Sequence, residues 1–453
     1  MPLPAETATA AIAAIARGEI TPAELTEHLL SRIEATEPDL HAYATVTAER
    51  ARAEAAALSA EAARGVRRGP LHGLPIGIKD LIDTAGVPTR YGSPRFGDHV
   101  PQRDASAVRG LRRAGAVLLG KHTTHELAWG GRTDSPFFGP THNPYRRGRI
   151  PGGSSGGSAA SVAAGSSLGA LGSDTAGSVR IPAALSGCVG FKPTRGRIPL
   201  DGVLPLAPSL DHLGVLARTV DDAAALTAAL AGPLPRDHPD EPRVGWLGGW
   251  YDAVLAPEVR AVLADVRALL DGHGVRVTDV VVPDQPLMPY AALERIVREA
   301  GAFHREAFER DPALFGPDIA ELMRKVPPSA AETERHEAAL RRSTAALRDA
   351  LAAHDVLVSA TVPILAPPIG AMTVTIEGRE WPIEPMLTRL TSPCNVAGLP
   401  AISVPVALAD GLPVGLQIIG AAMRDEAVLR VARLVESLTP PLPSPFAAGR
   451  SPR

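Results

Sequence analysis

The chain has 453 residues, 45% of them hydrophobic and 4% aromatic, enough for a large close-packed core without metals or disulfides. Lys and Arg total 46 against 49 Asp and Glu, and the net charge of −3 is spread without long blocks, so no nucleic-acid partner is expected. No apolar run reaches about eighteen residues, and no basic segment opens the chain, so neither membrane spanning nor secretion is expected. Cys188 and Cys394 are far apart and lack zinc-ligand spacing, which is typical of the reducing cytoplasm.

Residues 1–65 predict an N-terminal helical segment. An Ala/Ile-rich helix ends near Ala16, and Thr21, Pro22 and Glu24 then supply an N-cap, a proline in the first turn and a capping-box partner. A third Ala/Glu/Arg helix is predicted over residues 47–63.

Residues 70–220 change character and predict the catalytic core. Short apolar runs at 74–78 and 116–119 are bounded by glycine and alternate with helical stretches, which indicates an α/β sheet. Residues 140–214 are dense in Gly, Ser, Ala and Thr. Such small residues permit close backbone approach and turns with positive φ, as a site built from main-chain N–H groups requires.

Residues 221–439 predict the rest of the sheet and a variable substrate-binding region. Helices are predicted at 221–230, 258–270, 329–353 and 425–438, strands at 244–247, 401–406 and 415–419, and a Pro/Asp-rich turn at 232–242. Residues 440–453 predict a loose Pro/Ser-rich tail. Residues 1–453 are interpreted as one large domain.

Three small-residue segments carry the most specific signal: Gly73 to Asp80 (GLPIGIKD), Gly152 to Ser158 (GGSSGGS) and Gly172 to Pro182 (GSDTAGSVRIP). In this order and spacing they resemble the amidase signature family. The resemblance extends through FG at 138–139, NP at 143–144, GFKPT at 190–194, NVAGLP at 395–400 and GLPVGLQ at 411–417, and is weakest over 232–385. It implies an α/β fold, a single large mixed β-sheet covered by helices on both faces. It also implies a catalytic triad of Lys79, Ser154 and Ser178.

The chemistry of these side chains agrees with those roles. A serine hydroxyl is a poor nucleophile until a base takes its proton, so Ser178 needs a neighbour with proton affinity. Lys79 follows an apolar run, and burial there would lower its pKa and leave a neutral amine able to act as that base. Ser154 can accept a proton from one side and donate one to the other.

The segment before Ser178 predicts an oxyanion-binding loop in which the N–H groups of Thr175, Ala176, Gly177 and Ser178 face the reacting carbonyl oxygen. The family often has glycine where Ala176 stands, and a methyl group is tolerated there if φ is negative. The resemblance further implies that Ser155, Asp174 and Arg180 hold these loops and that Ala128 lines the substrate pocket.

The same residues allow other interpretations. Gly152, Ser154 and Gly156 also match a nucleophile elbow, but an elbow requires a preceding strand and residues 145–151 are polar and basic. Residues 115–121 resemble a phosphate-binding loop without its Ser/Thr. Residues 122, 125 and 126 (His, His, Glu) suggest a metal site. Their order is not that of a zinc-protease helix and no convincing third ligand is evident, so pocket-lining or structural roles are favoured. Two interpretations of Trp129 are favoured equally: a packing residue, or a residue in the wall of the substrate pocket.

The sequence therefore predicts a cytoplasmic amidase that cleaves the C–N bond of a small or medium carboxamide, with neither metal nor organic cofactor. The alternatives are the glutamine-hydrolysing component of a tRNA-dependent amidotransferase, or a carbamate- or urea-type hydrolase that uses the same triad. A non-catalytic protein on this fold is disfavoured because all three triad positions are intact. A homodimer is the statistical expectation for the assembly.

Overall fold

The computed structural model describes residues 6–234, 241–283 and 285–446. Within these ranges the α-helices are α1 Ala8–Arg17, α2 Pro22–Leu40, α3 Ala48–Ala63, α4 Ser106–Arg113, α5 Gly156–Ala163, α6 Arg180–Ser186, α7 Val220–Ala231, α8 Pro257–Gly272, α9 Met288–Arg310, α10 Pro317–Arg324, α11 Ala330–Ala353, α12 Ile383–Thr388, α13 Ser392–Ala397 and α14 Asp425–Leu438.

The strands are β1 Tyr43–Val46, β2 Pro75–Lys79, β3 Val117–His122, β4 Asp134–Ser135, β5 Gly139–Pro140, β6 Gly169–Ser173, β7 Val189–Lys192, β8 Leu213–Ala217, β9 Val244–Gly249, β10 Val277–Val282, β11 Val356–Ala360, β12 Thr373–Ile376, β13 Arg379–Pro382, β14 Ala401–Ala409 and β15 Leu412–Gly420. β4 pairs with β5 and β12 with β13 in two small hairpins outside the main sheet.

Eleven of these described strands form one mixed sheet, in the order β1-β3-β2-β6-β8-β7-β14-β15-β11-β9-β10. β3, β2 and β6 run parallel, as do β11, β9 and β10. The pairings from β6 through β8, β7, β14 and β15 to β11 are antiparallel. The predicted single mixed sheet is confirmed.

Helices cover both faces of this sheet. A Cβ placed on Gly415 of β15 would lie 2.7 Å from the side chain of Ala184 in α6, and one on Gly420 would lie 2.5 Å from Val428 in α14. Because residues an odd number of positions apart on a strand point to opposite faces, α6 and α14 pack on opposite sides. All nine residues of β15 are accordingly buried.

The predicted helices and strands agree closely with the structure at the N-terminus. α2 starts after Thr21, whose hydroxyl accepts the N–H of Glu24 while the Glu24 carboxylate accepts the N–H of Thr21, so the capping box forms as predicted. The largest cluster of buried hydrophobic side chains in the described residues runs from Ala8 to Val435, and two smaller clusters accompany it.

The sequence-based prediction assigned no element to residues 354–400, where the structure has β11, β12, β13, α12 and α13, and it was equally incomplete between residues 273 and 328. It assigned no element there, whereas the structure has β10, the 23-residue helix α9 and the short α10. Gly301 near the centre of α9 weakens the helical signal, and β10 is an edge strand with only one buried residue, so neither pattern stands out locally.

The C-terminal tail differs in part from its prediction. Tyr145 donates from its hydroxyl to the carbonyl of Pro443 at 3.1 Å, and a Cβ on Gly187 would lie 3.1 Å from Leu442, so the tail packs on the protein as far as these residues. Residues 447–453 of the tail and 235–240 of the predicted turn lie outside the described residues. Both cysteines are buried and free.

Candidate active site

Lys79 is the last residue of β2, and it lies beside the end of β6 because the two strands are parallel neighbours. The side chain is fully buried, and its Nζ donates to the hydroxyl of Ser154 at 2.7 Å and to that of Ser173, the last residue of β6, at 2.8 Å. The tertiary structure thus joins a strand end to a loop that follows it by 75 residues.

The electrostatics of this amine follow from its burial. Loss of hydration disfavours the ammonium form and lowers the pKa of Lys79 from 10.5 to about 7, although the negative charges of Asp174 and Asp211 oppose the change. Among the described residues no carboxylate contacts the amine directly; its two hydrogen-bond partners are hydroxyl groups. A substantial share of the amine is therefore neutral near pH 7 and able to accept a proton.

Ser154 and Ser178 lie on two adjacent loops. Ser154 is fully buried just before α5, and the Gly153–Ser154 peptide bond is cis. Ser178 lies just before α6, and its carbonyl accepts the N–H of Ser155 at 3.1 Å, which ties the two loops together. The Ser178 hydroxyl makes no hydrogen bond to any described residue; Ser178 is 8% exposed and lines a cavity. The structure thus shows the Lys79–Ser154 contact directly and a backbone link from the Ser154 loop to Ser178.

A buried ion pair fixes the loop that carries Ser178. The Asp174 carboxylate accepts from Nε and Nη2 of Arg180 at 3.0 and 2.9 Å, and from the amide of Asn395 at 2.8 Å. Arg180 also donates to the side chains of Asn395 and Gln417, each at 2.6 Å. Burial opposes the charge on Asp174, but the guanidinium outweighs it and holds the pKa of that carboxyl well below its usual range.

Asn395 and Gln417 belong to segments that carry the family resemblance, but sequence reasoning assigned them no role. Both lie more than 200 residues from Arg180 in the chain. The signal that was available is chemical, since an amide side chain within an apolar segment requires a buried polar partner.

The N–H groups of the loop differ in their partners. Those of Thr175, Ala176 and Ser178 make no hydrogen bond to any described residue, and these three residues line the cavity beside Ser178. The N–H of Gly177 instead donates to Asp174 at 2.9 Å, so it differs from its predicted role as a free oxyanion donor. Gly177 has a φ of 131°, while Ala176 does not adopt a positive φ and its methyl group is accommodated.

The cavity beside Ser178 has a volume of about 320 Å³. Ala128 and Trp129 line it, so the tryptophan belongs to the pocket wall. Ala128 adopts a φ of 59°, which turns the chain at this wall. Apolar side chains from α9, α10 and α12 form much of the remaining surface; they include Leu293, Ile296, Leu322 and Pro385.

A charged cluster occupies one wall of this cavity. The guanidinium of Arg132 is almost fully buried and lies 3.2 to 3.3 Å from the carboxylates of Asp134, Asp318 and Glu384. Behind them, Nε2 of His125 is 3.3 Å from Asp318. Burial disfavours the charged imidazole, but these carboxylates, Asp318 foremost, raise the pKa of His125. Sequence reasoning did not single out Arg132, Asp318 or Glu384, because three distant segments build the cluster.

The alternative interpretations can be compared with this geometry. Residues 141–155 contain an isolated bridge at Arg149 but no strand, so the strand that a nucleophile elbow needs does not precede Ser154. Residues 117–122 form β3, as their apolar pattern indicated. Among the described residues, no group of three His, Cys, Asp or Glu side chains is placed to hold a metal ion. In the same ranges no helix is long and apolar enough to span a membrane.

Comparison with known proteins agrees with the fold and shows the family of the chain. The amidase family model matches residues 24–429, and the chain belongs to this family, the amidase signature hydrolases that act on C–N bonds. The chain is 38% identical to the GatA-type component of the glutamyl-tRNA(Gln) amidotransferase of Roseiflexus sp. (strain RS-1), over 94% of this chain and 95% of the relative. It is 37% identical to subunit AtzE of the 1-carboxybiuret hydrolase of Pseudomonas sp. (strain ADP), over 94% of this chain and 97% of the relative. A solved amidase structure superposes with a TM-score of 0.88 at 37% identity, over 96% of this chain and 100% of that one.

Proposed function

We propose that this protein is an amidohydrolase that cleaves a carboxamide through an acyl-enzyme on Ser178. The observation that carries the proposal is the buried amine of Lys79, 2.7 Å from the hydroxyl of Ser154 and with a pKa lowered to about 7. A neutral amine in that position can withdraw the Ser154 proton as Ser154 withdraws the proton of Ser178.

The steps then follow in order. Oγ of Ser178 forms a bond to the carboxamide carbon, and the carbonyl oxygen becomes an oxyanion facing the N–H groups of Thr175, Ala176 and Ser178. Each such donor contributes roughly 3–4 kcal/mol in studied enzymes. The C–N bond breaks as Ser154 gives its proton to the leaving nitrogen and recovers one from Lys79. Water, deprotonated through the same relay, releases the acid from Ser178.

The cavity favours a neutral or cationic small molecule as substrate. Three carboxylates line it, from Asp318, Glu321 and Glu384, against two cationic side chains, Arg132 and Lys325. The Asp318 and Glu384 side chains are about one third exposed while Arg132 lies beneath them, so the surface that a substrate meets is acidic. A substrate carboxylate placed there would be repelled. We therefore propose a carboxamide substrate without a free acid group, with neither metal nor organic cofactor.

The assembly and the cellular location are proposed from the cysteines and the net charge. With two buried free cysteines and a net charge of −3, we propose a cytoplasmic enzyme that binds neither nucleic acid nor membrane. A homodimer is the simplest assembly.

The second candidate is the glutaminase component of a tRNA-dependent amidotransferase. The similarity to such a component over 94% of the chain favours it. It predicts that the protein hydrolyses free glutamine and co-purifies with other subunits. The similarity to a component of 1-carboxybiuret hydrolase likewise makes urea-type substrates a further candidate.

The proposal is tested by intact-mass detection of the adduct formed with a fluorophosphonate probe, followed by a panel of amides that includes glutamine and a biuret. One adduct on the wild type, absent in Ser178→Ala and formed far more slowly in Ser154→Ala and Lys79→Ala, is expected. Ser437→Ala, on the exposed face of α14, is the matched control and should label normally. An unlabelled wild type, or labelling that persists in Ser178→Ala and vanishes in Ser154→Ala, would overturn the assignment.

A further inference from the structure

A second cavity, here called the α9 groove, opens between α9 and the segment that links α10 to α11. Its volume is about 560 Å³, larger than that of the catalytic cavity. Its apolar lining includes Leu293, Val297 and Ala302 on α9, with Val326 and Pro327 opposite them. The groove is thus an open, mainly apolar trough.

The apolar side chains of this groove are unusually accessible. Val326 is 88% exposed and Tyr290, at one end, is 58% exposed. Exposed apolar surface gathered in a concave site marks a binding function more often than a structural one.

Two charged side chains beside the groove lie near partners within the protein, although both carboxylate oxygens of Glu294 are buried without a hydrogen bond to any described residue. Glu294 lies 3.4 Å from Arg298 and 3.8 Å from His336, and Arg305 donates to the main-chain carbonyl of Met323 at 2.8 Å. Because apolar side chains of α9, together with Val326 and Pro327, form most of the lining, the trough suits a hydrocarbon or aromatic group.

The α9 groove adjoins the cavity beside Ser178. Tyr290, Leu293 and Lys325 line both, so a molecule whose amide lies at Ser178 can extend past them into the groove. The two volumes together stay within the roughly 300–1,000 Å³ of typical ligand sites. The shared wall favours the substrate, rather than a separate partner, as the occupant of the groove.

We propose that the α9 groove binds a long apolar substituent of the amide substrate, several carbons away from the bond that is cleaved. This inference rests on the proposed amidohydrolase function. The substituent can belong to the acyl group or to the amine, and the two cases share one chemistry. Each methylene that enters the groove should raise kcat/KM about fourfold, the factor expected for burial of one CH₂.

The test uses two homologous series on the full chain. One is the straight-chain acyl p-nitroanilides from acetyl to decanoyl, and the other is the N-alkyl acetamides from methyl to decyl. In one series kcat/KM should stay level while the chain is short and then rise about fourfold per methylene. The series that shows the rise tells which side of the amide occupies the groove.

Two variants fill the groove without touching the triad. Val297→Trp places an indole in its centre, and Gly301→Leu adds a branched side chain where a Cβ would meet nothing closer than Arg305 at 3.6 Å. Both should lower kcat/KM for the decyl substrate at least tenfold and leave the shortest amide unchanged. Phe303→Trp, on an exposed part of α9 outside the groove, is the matched control and should behave like the wild type.

Failure of this inference differs from failure of the proposed function. If short amides are hydrolysed but chain length has no effect, or if the filled variants slow all lengths equally, the groove is not a substrate site. If Ser178 is neither labelled nor active, calorimetric binding of decanamide to Ser178→Ala still tests the groove, since Val297→Trp must weaken it tenfold. A change of oligomeric state in Val297→Trp, with no change in chain-length preference, would identify a second copy as the occupant and overturn the proposal.

Discussion

Replacing Lys79 by methionine should remove a pH-dependent instability from the folded protein. The amine is fully buried, and its pKa falls from 10.5 in the solvated state to about 7 in the fold. Between pH 7 and about 10.5 the unfolded chain holds a proton here that the folded chain does not, so wild-type stability rises with pH across that window. Through this linkage the Lys79 amine lowers the free energy of unfolding by about 4 kcal/mol at pH 7 and by about 2 kcal/mol at pH 9. Between pH 7 and pH 9 the free energy of unfolding of the wild type should therefore rise by about 2 kcal/mol relative to that of Lys79→Met.

The assay is denaturant unfolding of both proteins at pH 7, 8 and 9, followed as the difference in unfolding free energy. Lys192→Met is the matched comparison, because burial also lowers the pKa of Lys192 to about 7 while its amine contacts main-chain carbonyls of Pro193 and Leu399. Lys192→Met should show a similar stability change but retain the pH dependence of Ser178 labelling. A difference between wild type and Lys79→Met that is constant from pH 7 to 9 would refute the assignment of a neutral buried amine.

Three further outcomes are expected. The rate of Ser178 labelling by a fluorophosphonate should rise with pH through about 7, because the neutral form of Lys79 is the base. At pH 6 the rate should be about one tenth of its plateau. A flat profile from pH 5 to 9 would contradict this. Arg180→Met leaves the Asp174 carboxylate buried without its cation and should lower the free energy of unfolding by about 3–5 kcal/mol in urea; a loss below about 1 kcal/mol would show that the pair is dispensable. Gly177→Ala should cut labelling at least a hundredfold, since φ is 131° and the added Cβ would lie 2.2 Å from the Thr391 hydroxyl oxygen; wild-type labelling would show that the loop can relax.

The side chains proposed to react were predictable because their signals are local. Lys79 ends an apolar strand, and Ser154 and Ser178 each lie in a short run of small residues whose composition departs sharply from the rest of the chain. The capping box at Thr21 and Glu24 was predictable for the same reason, since its partners are three residues apart. Such patterns need no knowledge of the fold.

The sequence by itself thus determined the family, the α/β class and the residues proposed to react. Only the tertiary structure decided what surrounds them. Asn395 and Gln417 hold Arg180, Asp174 accepts the N–H of Gly177, and charged side chains from distant segments line the cavity beside Ser178. These contacts join residues up to 237 positions apart, and a linear pattern carries no record of which distant polar groups must pair once water is excluded. The α9 groove was hidden for the same reason, because its two walls come from α9 and from the segment before α11, and neither has a site-like pattern of its own.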